Sequence, residues 1–534
     1  MRIPILDLAI IVAYIITILC IGIFSTRKQA VTGQVFFLAG RSLPWGIVGA
    51  ALFASNISTI HLVGLTASGY NEGLVWGNFE WMASFTLILL SLVFAPFYFR
   101  SGLSTLPEFL ERRYSPASRS FLAFMAIVAA LFIHIGMSIY AGAAVFQQFF
   151  GVGVVTSIII VSVVVSIYTV LGGLKAVVVT ETFNTFFLLI GAAIITVFAF
   201  LALPQHGIHT LAQFKAATRP DQLSMLQTHS PVGLNWYAVF LGYPVLGVWY
   251  WCTDQTIVQR VLGARSERDA QLGPLLAGFL KILPVFFLVL PGVIAYILFK
   301  DLIGTSSNQT LPVLINQLLP SGLKGLISAA VLAALLSAVS AALNSSGTLV
   351  AVDIVKRLRP ETSDQTQVLV GRISSVVVML LAILWSTQGY RYSSIFEAIN
   401  VIAADLAPPI TTVFLFGVFW RRGTKQASIA TLTFGFLVGA ASFILDLPVF
   451  GTEKIISHRL GIPFLMQAWW VFCLCSVLFV IVSLLTPPPP PEQVAGLTWK
   501  NPISVIFGDQ SASAPRIVAA LLLATMAVLY YIFR

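Results

Sequence analysis

The sequence predicts an all-α polytopic membrane protein with about 14 transmembrane helices. Three observations predict it. Of 534 residues, 58% are apolar and 9% charged, against roughly 45–50% and about 25% in soluble domains. The apolar residues gather into runs long enough to cross roughly 30 Å of hydrocarbon at about 1.5 Å per residue. Lys and Arg alternate between successive connections, nineteen in the odd-numbered loops against eight in the even-numbered loops and the two tails. The formal charge of +10 therefore punctuates apolar runs and forms no basic soluble face, so no nucleic acid is expected as a partner.

The elements follow in order. The run at 5–24 comes after a single Arg2 and lacks a small-residue cleavage pattern, so it reads as a retained helix rather than a signal peptide. Runs at 44–70, 75–99, 120–149, 153–171 and 177–203 follow. Beyond a loop at 204–231 come 232–253, 274–299, 322–347, 369–388 and 392–419, then 428–446, 463–485 and 517–533. Lipid cannot satisfy a free backbone, so such runs must be helices; barrel strands would alternate polar and apolar over about 10 residues. The basic bias places odd loops in the cytoplasm and both termini outside, in a plasma or bacterial inner membrane. The chain divides into a peripheral helix with its loop (1–43), a first repeat (44–203), an outer loop (204–231), a second repeat (232–420), two peripheral helices (421–485), a Pro-rich linker (486–516) and a last helix (517–534).

The informative residues are polar ones stranded in apolar helices, because each is costly there and tends to face a cavity or a partner. They include Asn56 and His61 in the second run, Glu80 in the third, Glu181 in the sixth and Lys281 in the eighth. Ser337, Ser340 and Asn344 lie in the ninth, Asn400 and Asp405 in the eleventh. A lone Ser or Asn reads most simply as a helix–helix hydrogen bond. Carboxylate, ammonium, imidazole and amide on different helices instead predict a shared polar cavity.

Transporter folds with inverted repeats place substrate where two helices in corresponding positions are broken. The second run is interrupted around Ser55 to Thr59, and the seventh at Gly242, Pro244 and Gly247. They lie five runs apart, as an inverted five-plus-five repeat over runs 2 to 11 requires. Carbonyls freed at a break, with the hydroxyls of the ninth run, suit a hard cation. Tyr250 and Trp251 can stack on the apolar face of a sugar ring while Glu80, Lys281 and Asn56 bind its hydroxyls; an interfacial aromatic belt is the alternative for the two rings.

Other features carry less. The four cysteines, Cys20, Cys252, Cys473 and Cys475, show neither a disulfide framework nor zinc spacing. His206, His209 and His229 read as surface histidines, and Pro487 to Pro491 as a stiff spacer. An intramembrane enzyme would need a motif such as HExxH, GxSxG or DxD, and none is present. No enzyme activity and no cofactor beyond a coupling ion are expected. An ion channel is a further alternative, though a filter motif is absent.

Seven stretches carry a family resemblance: ASNISTIHLVGL at 54–65, FEW at 79–81, GGLKAVVVTETFNT at 172–185, VWYWCTDQTIVQR at 248–260, FLK at 279–281, LNS at 343–345 and PP at 408–409. In these the chain resembles the sodium/solute symporter family, in its sodium/glucose cotransporter-like branch, from about residue 5 to the last helix. The resemblance implies a LeuT-like core in runs 2 to 11. It also implies a sugar site of Asn56, His61, Glu80, Trp251 and Lys281 with Tyr250 as inner aromatic gate, and Asn400 where the family has Gln.

For the cation, the resemblance implies carbonyls at Ala54, Ile57 and Ala334 and two adjacent hydroxyls, of which Ser337 is present and the second is Ala338. At a second cation position Glu181 replaces Asp, and Ser340 is followed by Ala341. Asp405 is an additional carboxylate. Glu181, Ser340 and Asp405 are thus candidates for a second cation or a proton, since desolvation raises a carboxylate toward neutral titration. The expected function is import of a glucose- or galactose-like sugar by sodium symport with alternating access. Proton symport, uncoupled transport and a non-transporting sugar sensor remain alternatives on the same scaffold. The partners are the sugar, the coupling cation and the bilayer; the sequence leaves the oligomeric state open.

Overall fold

A computed structural model describes residues 4–25, 32–387, 395–446, 455–499 and 513–534. Within them the chain is helical and forms no β-strand beyond two isolated bridges. The long elements are α1 (Ile5–Phe24), α2 (Trp45–Asn56), α3 (Thr59–Asn71), α4 (Leu74–Arg100), α5 (Pro116–Gln147) and α6 (Val154–Ala202). They continue as α7 (Trp236–Gly247), α8 (Gln255–Leu262), α9 (Glu267–Ile303), α10 (Leu323–Leu358), α11 (Asp364–Ser386) and α12 (Ile395–Phe419). Last come α13 (Lys425–Leu445), α14 (Phe464–Leu485) and α15 (Ser513–Ile532).

By length and composition the described residues give eleven helices able to cross a bilayer, or twelve with the bent pair α2 and α3. The expected fourteen separate runs differ from this in two places. Runs 153–171 and 177–203 join into α6, interrupted only at Gly173, whose φ of 63° and ψ of −159° are non-helical. A Cβ at Gly173 would lie 2.6 Å from the Phe36 carbonyl oxygen, so both the turn and the close approach require glycine. The seventh run forms α7 and a π-helical turn, Val248–Thr253, and does not register as a long apolar helix by itself.

The break in the second run falls at Ile57 and Ser58, within the expected stretch, and bends α2 from α3 by 63°. The break in the seventh run is elsewhere than expected. Helix continues through Gly242, Pro244 and Gly247 and stops at Asp254 (φ −77°, ψ 124°), which caps α8 by accepting the Thr256 backbone N–H at 2.6 Å. The reason is that glycine and proline are tolerated within membrane helices, whereas Asp at an N-cap supplies an acceptor for the free N–H groups of a new helix.

Burial separates centre from rim. In α10, 94% of the apolar window is buried, against 28% in α1, α14 and α15. The centre is therefore α10, packed on α6, α1 and α11, with α2 and α3 lodged beside it. Exposed Leu, Ile and Val on α1, α6, α11, α14 and α15 form the surface that hydrocarbon covers.

Candidate functional site

Serine hydroxyls and an indole bind α4 to α9. Trp81 Nε1 donates to the Ile282 carbonyl at 3.3 Å, Ser84 Oγ to Gly278 at 2.9 Å and Ser91 Oγ to Gln271 at 2.7 Å. These bonds turn Glu80 of α4 toward Lys281 of α9, and the two form a buried ion pair, each side chain 1% exposed. Lys281 Nζ also donates to Asn56 Oδ1 at 2.5 Å, and Asn56 Nδ2 donates to the Tyr250 hydroxyl at 3.0 Å. His61 Nε2 lies 3.9 Å from Glu80 Oε1, and Lys281 Nζ stands 5.6 Å over the Trp251 ring. A buried charge pair holds when further hydrogen bonds satisfy it, and here Asn56 and Trp251 complete the ammonium's surroundings.

The break between α2 and α3 presents Asn56 to this cluster. His61 Nδ1 accepts the Ser58 backbone N–H at 3.2 Å, which satisfies one donor that the break leaves free. Thr59 Oγ1 donates to the Val331 carbonyl at 3.2 Å and anchors α3 to α10. All seven residues expected to meet the sugar, Asn56, His61, Glu80, Tyr250, Trp251, Lys281 and Asn400, line one cavity. The Asn400 amide itself donates within its own helix, to the Phe396 carbonyl at 2.8 Å.

The cation candidates fall differently. Ala54 and Ile57 lie at the break in the second run, Ala334 and Ser337 on α10 packed against it, and all four are buried. The Ser337 hydroxyl accepts the Asn184 Nδ2 donor at 2.8 Å, and Asn184 Oδ1 accepts from the Tyr14 hydroxyl at 2.7 Å. Ala338, where a second hydroxyl was expected by resemblance, lines the sugar cavity. Ser340 Oγ donates to the Ser337 carbonyl at 3.0 Å.

Glu181 makes a bidentate ion pair with Arg260 of α8, its Oε1 at 2.5 Å from Nη2 and its Oε2 at 3.2 Å from Nε, both side chains fully buried. Asp405 accepts from Gln467 of α14 at 2.6 Å, while its Oδ2 has no hydrogen-bond partner among the described residues. Glu181 and Asp405 thus share no partner, and a single site of Glu181, Ser340 and Asp405 is not what these contacts assemble. No group of three or more His, Cys, Asp or Glu side chains fit to hold a metal occurs among the described residues.

The family model described as the sodium:solute symporter family matches residues 36–435. The chain belongs to the sodium:solute symporter family. This symporter is 32% identical to the rabbit (Oryctolagus cuniculus) protein named sodium/glucose cotransporter 1, the match covering 92% of this chain and 81% of the relative. It is 34% identical to a sodium/mannose cotransporter of Bos taurus, over 96% of this chain and 93% of that one. In structure it is similar to a Na+-coupled sialic acid symporter solved in a substrate-bound outward-open state, with a TM-score of 0.76 and 20% identity, over 91% of this chain and 99% of that one. Mhp1, a nucleobase-cation-symport-1 family transporter, aligns with a TM-score of 0.54 and 13% identity, over 86% and 97%. Both likenesses speak for the fold, a polytopic all-α scaffold, while membership of the symporter family makes the chain a transporter rather than an enzyme.

Two features of the symporter's site were missed in the sequence. His134 of α5 lines the same cavity and pairs with Asp254 at 3.1 Å. Its signal was present, a polar side chain stranded in an apolar run. Arg260 as the partner of Glu181 had no such signal, because 79 residues separate the two.

Proposed function

We propose that this symporter imports a glucose- or galactose-like monosaccharide by sodium-coupled symport with alternating access. The observation that carries the reading is the Glu80–Lys281–Asn56–Tyr250 chain around a cavity bordered by Trp251. Its charges are compensated, its donors and acceptors are fixed by neighbouring helices, and its aromatic walls suit a ring with one apolar face. Kinship with sodium/glucose and sodium/mannose cotransporters supports the same substrate class.

Sodium binds between α2 and α10, at carbonyls of Ala54, Ile57 and Ala334 and the Ser337 hydroxyl. It stabilises the outward-open arrangement, and sugar then binds at lower cost because both ligands bias one conformational equilibrium. Rocking of one bundle against the other exposes the cavity inward past Tyr250. Odd loops face the cytoplasm and both termini lie outside. A second reading, proton coupling, is favoured by one observation: Ser337 already accepts from Asn184 and its neighbour is Ala338, so the sodium site has few side-chain oxygens.

The test is uptake of radiolabelled glucose and galactose into proteoliposomes under an imposed sodium gradient and, separately, a pH gradient at zero potential. Accumulation above equilibrium under the sodium gradient is the expected result. Equilibration under both gradients would make the protein a uniporter, and saturable sugar binding without uptake would make it a sensor.

A further inference from the structure

His134 sits in a widened π-helical stretch of α5, Ala130–Met137, a distortion often found at functional sites. Its Nε2 lies 3.1 Å from Asp254 Oδ2, and the two side chains are 10% and 4% exposed. Asp254 is the residue at which α7 gives way to α8, and its other oxygen is held by the Thr256 N–H. The Tyr250 ring lies 5.8 Å from the His134 ring. One imidazole–carboxylate contact therefore joins α5 to the hinge of the broken seventh segment, beside the aromatic gate.

We propose that His134 and Asp254 form a proton-binding site whose occupancy is coupled to sugar binding in the adjoining cavity. The inference rests on the sugar-transport reading and assigns a proton to a pair of residues not considered there. Histidine is the side chain that ordinarily gains or loses its charge between roughly pH 5 and 8. When the imidazole takes up one proton, its contact with the Asp254 carboxylate becomes an ion pair between two opposite charges, which favours the charged imidazole. Protonation thus tightens α5 to the α7–α8 hinge, and a ligand that binds one arrangement of that hinge better must feel the proton. By linkage the sugar then raises proton affinity by the same factor as the proton raises sugar affinity.

The other titratable groups at the cavity do not compete for this role. Glu80 and Lys281 neutralise one another, and Glu181 is paired with Arg260. His61 uses its Nδ1 lone pair to accept the Ser58 N–H and faces Glu80 with Nε2, so an added proton at Nδ1 would break the cap on α3. Tyr243 donates to the Phe79 carbonyl at 2.9 Å, and Tyr250 accepts from Asn56. From α10 the cavity receives Ala338, and from α12 Phe396, Ile399, Asn400 and Ala403, none of them charged. Ser138, one turn beyond His134 on α5, is likewise uncharged.

The test uses the purified full-length protein without sodium. Equilibrium binding of radiolabelled glucose and galactose is measured across roughly pH 5 to 8 for the wild type, His134→Gln, His134→Lys and Asp254→Asn. Uptake into proteoliposomes with an acid exterior is measured beside it. For the wild type, sugar affinity should rise as pH falls, and accumulation should approach about tenfold per imposed pH unit, the limit for one proton per sugar. His134→Gln and Asp254→Asn should bind sugar with a flat pH profile and only equilibrate it under the pH gradient. His134→Lys, permanently charged, should hold the acid-form affinity at every pH. A wild-type pH profile in His134→Gln or His134→Lys would overturn the proton site. Sodium-driven accumulation by the wild type with no effect of pH would overturn it alone, leaving sugar transport standing. Absence of sugar binding by the wild type at any pH would overturn both readings.

Discussion

At Lys281 an ammonium is buried between a carboxylate, an amide and an indole face, and each partner is needed by the others. Removing one member of a buried pair leaves an uncompensated charge, which costs about 3–5 kcal/mol. Glu80→Gln and Lys281→Ala should therefore each lower sugar uptake at least tenfold, the step that about 1.4 kcal/mol produces, while surface biotinylation still detects the protein in the membrane. Normal uptake by both variants would remove the cavity's assignment to sugar. Ala338→Ser adds a hydroxyl beside Ser337 and should lower the sodium concentration for half-maximal uptake several-fold; an unchanged value would place the cation elsewhere. These residues were legible in the sequence because a charge in an apolar run has few inexpensive explanations. Their partners were not: Glu181 points to a cation site when read alone, and only the fold brings Arg260 to it.

The breaks in α2–α3 and α7–α8 show the same division among elements. A polar stretch, Ser55 to Thr59, announces the first break because helix and bilayer both disfavour it. The second was expected at Gly242 to Gly247, yet those residues remain helical and the capping carboxylate of Asp254 sets the end. Close crossing of helices was equally hidden, since a glycine in an apolar run does not reveal what faces it. At the α3–α9 crossing, a Cβ on Gly69 would meet the Val289 carbonyl oxygen at 2.1 Å, and one on Gly292 would meet that of Thr66 at 2.1 Å. Small residues permit such backbone approach. Gly69→Ala and Gly292→Ala should each destabilise the protein by about 1–3 kcal/mol, seen as a lower midpoint of thermal aggregation in detergent. Gly304→Ala serves as the comparison for strain without contact, because Gly304 has φ +56° and open space around it.

For the whole molecule, sidedness can be argued from contacts at its ends. Asp7 accepts the Gly322 and Gly325 N–H groups, both at 2.7 Å, so α1 starts at the face where the 304–322 connection lies. That connection contains a short 3-10 turn, Ser307–Gln309, and a nine-residue helix, Thr310–Leu318, together too short to cross a bilayer. The Tyr70 hydroxyl donates to the Gly304 carbonyl at 2.9 Å, and Arg219 Nη2 donates to the Tyr70 carbonyl at 2.9 Å, which brings the 204–231 loop to the same face. The Met225 N–H donates to the Phe533 carbonyl at 2.7 Å, and the C-terminus joins them. Both ends of the chain thus share one face, which demands an even number of crossings. We propose, from the excess of Lys and Arg on the opposite connections, that the shared face is the outer one. Single-cysteine additions test it in intact cells with a membrane-impermeant thiol reagent, the wild type setting the background from its own four cysteines. Lys215→Cys and Arg534→Cys should be labelled from outside, and Arg359→Cys, beyond the inner end of α10, only after permeabilisation. The reverse pattern would invert the molecule, and with it the direction in which the Tyr250 gate opens; labelling of Lys215→Cys without Arg534→Cys would instead break the even count.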